Sequence, residues 1–447
     1  MKRIILLFTV LSFLPLAGCI KPPPETIKDI LDLKQDHLFY IDQNTSDHEI
    51  TAPGIQKEID IRFNTLYFAP WHQSAPIYPR EKLTEAFGWY EKIPGYGENG
   101  RKHKKSWFAT LRKNAWLSVY PNAGYAAITT ENTDLRILPT HKPFFTGLNS
   151  VRFGYPFDKI QQSMVAANTP VFISHITKDK AWVLAETPYA TGWIPSRSVA
   201  RASSDFMKAW ENGRYTIIIR DKTALYDDTG QFLFHAPLGS LFPEIEENAD
   251  DITILVAVAD VHRQAIAKTT LVSKEAAVLK PLKITPFNLA RMANELIHEA
   301  YGWGGLYQNR DCSSMIKDMF APFGIWLPRN SADQAKQGGE FLDLQNITPE
   351  EKENMILKRG VPYLTLIWKK GHIMLYIGER QGKALVFHNI WSVHVKDWRK
   401  REKRLIIGHA AITTLYPGME LQNGDMQKND YLNSILGMTL LAKTGNS

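Results

Sequence analysis

The stretch that most constrains this chain is Asp311-Cys312-Ser313-Ser314. Apart from Cys19, Cys312 is the only cysteine in the sequence. It follows an aromatic-glycine turn, Tyr301-Gly302-Trp303-Gly304-Gly305, and opens a run in which Met315, Ile316, Met319 and Phe320 recur at helical spacing. A cysteine at a helix N-terminus feels the positive end of the helix dipole, which favours the nucleophilic thiolate. Further on comes Gly371-His372-Ile373-Met374-Leu375-Tyr376-Ile377-Gly378, an apolar strand carrying one histidine. A second strand, Ala384 to Phe387, ends at His388. Cysteine on a helix, then histidine and a polar orienter on neighbouring strands, is the layout of a cysteine acyl-transfer site.

In chain order the motifs are Y-x-W-G-G, D-C-S, L-P-R-x-S-x-x-Q (Leu327, Pro328, Arg329, Ser331, Gln334) and G-H-x-x-x-Y-x-G. Together, over about residues 285–416, they resemble the NlpC-type cell-wall cysteine peptidases. The resemblance implies a papain-like α+β peptidase domain that needs no cofactor. It implies cleavage of peptidoglycan stem peptides at the γ-D-glutamyl bond to the third residue, usually meso-diaminopimelate. Cys312 is then the nucleophile, His372 the general base and His388 the orienter, with His394 and His409 as rivals for the third place. Tyr301 and the Cys312 backbone N–H are expected to hold the oxyanion. Asp311 suits a helix cap; in relatives bearing SH3-like barrels the matching aspartate binds the free α-amine of an N-terminal L-alanine. Asp311, Ser313 and Tyr189 are therefore the substrate-binding candidates, Tyr189 as the barrel tyrosine that narrows the groove. Arg329 and Ser331 are expected to fix the loop beside the site. Glycine is usual where this chain has Ser314, and a Gly-Asp-Leu turn where it has Val361-Pro362-Tyr363-Leu364.

The rest of the 447 residues is read from pattern. Lys2 and Arg3, the apolar run Ile4 to Leu16, and Leu16-Ala17-Gly18-Cys19 form a secretion signal. Its end resembles the lipobox of bacterial lipoproteins, which implies lipidation at Cys19 and a membrane anchor facing the periplasm, the outer membrane being preferred to the inner. Lys21-Pro22-Pro23-Pro24-Glu25 reads as a stiff tether. The expected fold is multidomain α+β: residues 1–19 signal, 20–112 linker and helical stabilising region, 113–203 and 204–283 two small SH3-like β-barrels, and 284–447 the peptidase with its tail. Short strands carry the barrels: Ala126 to Thr130, Val171 to His175, Ala181 to Ala185 and Gly192 to Ile194, then Tyr215 to Arg220, Ala224 to Tyr226, Ile252 to Ala259 and Ala265 to Lys268. Thr285-Pro286 caps a helix whose apolar face is Leu289, Met292, Ala293 and Leu296. Arg404 to Thr414 is expected as the last strand, and the tail with Ile435, Leu436, Leu440 and Leu441 as a helix packed on another domain.

Net charge is +7, but Lys and Arg are scattered and no nucleic-acid motif appears, so an anionic wall or membrane partner is favoured. The sequence has no H-E-x-x-H, no paired cysteines and no phosphate-binding glycine loop, so neither a metal nor a nucleotide is expected. The alternatives are an N-acetylmuramoyl-L-alanine amidase, or a wall-binding lipoprotein whose peptidase domain is inert.

Overall fold

The computed structural model describes residues 26–147, 154–397, 399–421 and 423–441. The signal, the tether and Cys19 lie outside these. Ahead of the barrels run helices α1 (Lys28–Asp32), α2 (Pro53–Phe68), α3 (Arg80–Lys92) and α4 (Lys105–Ala115). The first barrel is a seven-stranded antiparallel sheet in the order β3-β2-β6-β5-β4-β1-β7. Its strands are β1 (Tyr125–Thr129), β2 (Thr133–Arg136), β3 (Gln161–Val165), β4 (Pro170–Ile176), β5 (Trp182–Glu186), β6 (Thr191–Pro195) and β7 (Val199–Arg201). Strand alternation sends successive residues to opposite faces. Ile194 thus joins Val171, Ile173 and Val183 inside the barrel. Trp193 turns outward against Phe87, Phe108 and Leu111 of α3 and α4.

Helix α5 (Ser204–Trp210) leads into the second barrel. Its five-stranded sheet has the order β13-β12-β11-β8-β14, with β9 and β10 as a separate hairpin. These strands are β8 (Tyr215–Ile218), β9 (Thr223–Tyr226), β10 (Phe232–Ala236), β11 (Leu241–Glu247), β12 (Asp251–Ala259), β13 (Ala265–Ser273) and β14 (Ala277–Leu279). Helix α2 lies between the units. Its Phe63 and Phe68 share a core with Trp210, Tyr215, Leu241 and Ala321. Its Gln56 donates to the carbonyls of Leu282 and Phe323, and its Asp60 pairs with buried Lys280. The aromatic N-terminal stretch thus joins both barrels to the last domain.

That domain begins at α6 (Pro286–Leu296), capped as expected by Thr285 Oγ1, which accepts from Asn288 N. Helix α7 (Cys312–Phe320), α8 (Ser331–Gln337), strand β15 (Glu340–Asp343) and α9 (Pro349–Arg359) follow, then β16 (Thr365–Lys369), β17 (His372–Arg380), β18 (Lys383–Lys396) and β19 (Glu402–Thr414). The sheet order is β15-β20-β16-β17-β18-β19. Its sixth strand, β20 (Ile435–Leu440), overturns the expected tail helix. It pairs with β15 on one side and β16 on the other, so both its faces and both its edges are covered. A strand buried on both faces loses the alternation that marks a strand in sequence. The strand ending at His388 also continues, to Lys396. Helices α6 and α7 cover one sheet face, packing Met315, Ile316 and Met319 against Ile373, Leu375 and Phe387.

A chain stopped after Ser434 loses the buried Ile435, Met438 and Leu441 and two ladder partners. At about 1.5–3 kcal/mol per large apolar side chain, against a total of about 5–15 kcal/mol, cooperative melting of this domain should vanish. A melting curve like that of the full chain would show that β20 is dispensable.

Candidate active site

The site is built on the α7 N-terminus. Asp311 is its cap: Oδ1 accepts from Ser314 N at 2.8 Å, and Ser314 Oγ accepts from Asp311 N at 2.9 Å. This reciprocal pair explains Ser314, since a glycine there could not close the box. Asp311 has further donors. Gly304 N reaches Oδ2 at 3.1 Å, and Arg329 grips both oxygens at 3.1 and 2.8 Å. Burial pushes this carboxyl up, but the Arg329 guanidinium and Ser314 hold it below its ordinary range. Arg329 Nη1 also donates to Ser313 Oγ, and Arg329 Nε to Ser163 Oγ of the first barrel at 2.7 Å. Arg329 therefore fixes the loop as expected. The Asp311 carboxylate therefore faces the Arg329 guanidinium and accepts from Gly304, Ser313 and Ser314 within the protein.

The glycine turn docks the barrel. Gly304 and Gly305 have φ of 59° and 82°, and a Cβ on either would strike Gln161 or Met164 of β3. Trp303 Nε1 donates to Asp158 O at 2.9 Å, and its ring meets Phe157 edge-on. Tyr301 N donates to Gly408 O, and burial, then Cys312 and Asp311, raise the Tyr301 phenol well above the ordinary value. It is thus a neutral hydroxyl beside the thiol.

Cys312 is 7% exposed and receives the backbone N–H of Ile373, the residue after His372. Burial and then Asp311 push its thiol up to about 12, reversing the expected dipole effect. Burial, His388 and Lys369 push His372 well below the ordinary imidazole range. The resting pair is a neutral thiol and a neutral imidazole.

The tautomers follow from the hydrogen bonds. Thr413 Oγ1 donates to Thr414 O at 2.8 Å, so it accepts from His388 Nε2 at 3.0 Å. His388 Nδ1 is then an acceptor, and His372 Nε2 donates to it at 2.7 Å. This leaves His372 Nδ1 as the basic lone pair. His409 bonds only Ala410 O by its ring, and the His394 ring has an unpartnered nitrogen; neither meets His372. The third place in the site belongs to His388.

Tyr189 is placed elsewhere than expected. Its hydroxyl donates to Met164 O, its ring lies under Lys317 Nζ, and it lines a cavity of about 60 Å³ beside Ser314 and Asp318. That cavity is too small for a peptide and does not include the thiol. The barrel tyrosine near the site is instead Tyr155, 61% exposed. Its ring is 6.0 Å from that of Trp391, which is 5.7 Å from that of Tyr301. Tyr155 also rims a cleft of about 770 Å³ with Tyr307, Gln308, Asn132 and Asp134. Sequence reasoning missed Thr413, Ser163, Tyr155, Trp391 and Lys369.

A catalytic-type Cys-His-His set on a papain-like α+β domain behind two small barrels defines a class, and comparison narrows it. Residues 4–120 match the NLPC_P60 stabilising domain, 143–195 an SH3 domain of SH3b1 type, 203–249 an SH3 domain of SH3b2 type, and 298–401 the NlpC/P60 family. An NlpC/P60 endopeptidase from Photobacterium damselae subsp. piscicida is 26% identical, with a TM-score of 0.83 over 92% of this chain and 98% of that one. An NlpC/P60 family protein from Bacillus cereus is 15% identical, with a TM-score of 0.46 over 71% and 100%. No curated protein matches. Residues 298–401 thus form an NlpC/P60 cysteine peptidase domain, with the stabilising domain and both SH3 domains ahead of it.

Thr413→Val removes the acceptor that fixes the His388 tautomer. It should lower kcat on the order of tenfold with KM nearly unchanged, and Thr413→Ser should restore it. Because His372 is held neutral, the acid limb of kcat/KM should fall below the ordinary imidazole value of about 6.5 and move in Thr413→Val. An acid limb at 6.5 or above, unmoved in the variant, would refute the relay.

Proposed function

We propose that this protein is a peptidoglycan hydrolase that cuts the γ-D-glutamyl bond to the diamino acid of stem peptides. The observation carrying this reading is the hydrogen-bonded chain Thr413–His388–His372, whose last member directly precedes Ile373, the residue whose backbone N–H meets the Cys312 sulfur. His372 Nδ1 takes the Cys312 proton as sulfur attacks the γ-carbonyl. The oxyanion is held by the Tyr301 hydroxyl and the Cys312 N–H, a first-turn group without a helical acceptor. The same proton passes to the leaving amine, and water then hydrolyses the thioester. On this reading Ser313, held by the Arg329–Asp311 pair, is a substrate-binding residue beside the thiol. A preference for a free N-terminal L-alanine would rest on Asp311 as the partner of its ammonium, with the exposed barrel residue Tyr155, linked to the site through Trp391 and Tyr301, as the wall that limits the acyl side. Tyr189 acts in domain docking.

Mass analysis of products from free and muramyl-linked stems tests this reading. The expected acyl products are L-alanyl-D-glutamate from free stems and, more slowly, muramyl-L-alanyl-D-glutamate from linked ones, lost by a factor on the order of 10⁴ in Cys312→Ala and His372→Ala, with a remainder in His388→Ala. Release of the whole stem from muramic acid would identify an amidase, and no cleavage an inert binding domain.

We further propose a lipid anchor at Cys19, on the strength of Leu16-Ala17-Gly18-Cys19 behind an apolar run. Two or more acyl chains hold a protein stably, whereas one does so only marginally. Cys19→Ser should move the protein from the membrane to the soluble fraction with peptide activity intact; retention after a salt wash would refute the anchor.

A further inference from the structure

Buried cations in this molecule have partners. Arg136 holds Asp158, Lys280 holds Asp60, Arg310 holds Asp221, and Arg329 holds Asp311. Lys352 donates to the carbonyls of Leu432 and Ile435. Lys369 is different. It ends β16 directly opposite His372, so the two side chains share a sheet face. Its Nζ lies 3.6 Å from the centroid of the Tyr431 ring, and that ring is 6.2 Å from both His372 and His388. No carboxylate of the described residues lies within ion-pair distance of it. The half-buried ammonium therefore faces the catalytic pair with only an aromatic face for company.

A cation withdrawn from water without an anion is unfavourable, and burial pushes this amine down to about 8. Its charge is also felt by His372 and His388, which it depresses. Nothing in the mechanism above uses it. What would satisfy it is an anion delivered with the substrate.

Direction along the groove says which anion. The barrel reaches the site through Tyr155, Trp391 and Tyr301. Lys369 approaches from the β16–β17 hairpin and the C-terminal segment, neither belonging to the barrel. With the acyl half of the peptide towards the barrel, Lys369 faces the leaving half. There a diaminopimelate-type residue carries a free carboxylate at its distal centre, which lysine in the same position lacks.

We propose that Lys369 is a specificity-determining residue that receives the distal carboxylate of the leaving diamino acid, with Tyr431 holding the ammonium in place. This rests on the proposed stem-peptide reading. The carboxylate replaces lost hydration, and amidating it leaves the distal ammonium of the substrate opposite Lys369, a like-charge clash.

The test uses two tetrapeptides, L-alanyl-γ-D-glutamyl-meso-diaminopimelyl-D-alanine and its analogue with the distal carboxylate amidated. The full-length wild type should prefer the acid by roughly tenfold to a hundredfold in kcat/KM. Lys369→Met should bring the ratio near one, and Lys369→Arg should keep most of it. Any effect of the lost charge on the His372 pKa acts on both peptides and cancels in the ratio. Equal wild-type rates on the two peptides, a measurement that needs no variant, would overturn the inference, as would a Lys369→Met protein that loses activity yet keeps the ratio. Cleavage of neither peptide by the wild type would instead overturn the bond assignment, and this inference with it.

Discussion

The Asp311–Arg329 pair is the contact through which the separate parts of the molecule meet at the site. Asp311 caps the cysteine helix and holds the glycine turn through Gly304 N, while Arg329 reaches on to Ser163 in the barrel. One carboxylate and one guanidinium therefore set helix, turn and barrel relative to one another. A buried pair of this kind adds little net stability, but removing one partner strands the other charge at about 3–5 kcal/mol. Arginine suits the role because its planar fork presents several donors in fixed directions, which lysine cannot do. The pair is better understood as a device for position than for stability.

A second buried arginine repeats the arrangement on the other side of the glycine turn. Arg310 forks onto Asp221 of the second barrel and donates to Asp318 on the cysteine helix. Gly239 of that barrel, at φ 86°, lies so close to the Asp318 carbonyl that a Cβ would overlap it. Both barrels are thus tied to α7, one at its N-terminus and one further along. Helix α2 links the same units through Gln56 and Asp60. With ties at separate points, the barrel residue Tyr155 is held in a fixed relation to the thiol, as the proposed wall would require.

Much of this was legible in the sequence, because local pattern and local chemistry coincide. Gly192-Trp193-Ile194 shows its two-sided burial directly, and Thr285-Pro286 shows a helix start. The D-C-S helix and the two histidine strands were readable for the same reason. Strands β2 and β3 were not, since Asp134, Gln161 and Ser163 make polar contacts with one another and with the peptidase instead of alternating simply. Strand β20 hid because apolar packing on both its faces removed its period. Thr413 and Lys369 were invisible for a deeper reason. Their roles depend on strand register, and nothing in a Thr-Thr pair or a lysine before a turn announces which residue lies across the sheet.

The same burial that made the site hard to read shapes its chemistry. A helix dipole is worth about 0.3–1 kcal/mol at an exposed end, whereas desolvation can move a buried group by several pKa units. Around Cys312 the second effect wins, aided by the negative Asp311, and the thiol is protonated at rest. On the proposed mechanism the thiolate forms only when His372 takes the proton, as substrate binds. A protonated, 7% exposed thiol is also a poor target for oxidants, which react with thiolate. The relay through His388 to Thr413 leaves the resting basicity of His372 low. Its contribution is to keep Nδ1 free and to steady the imidazolium formed during attack.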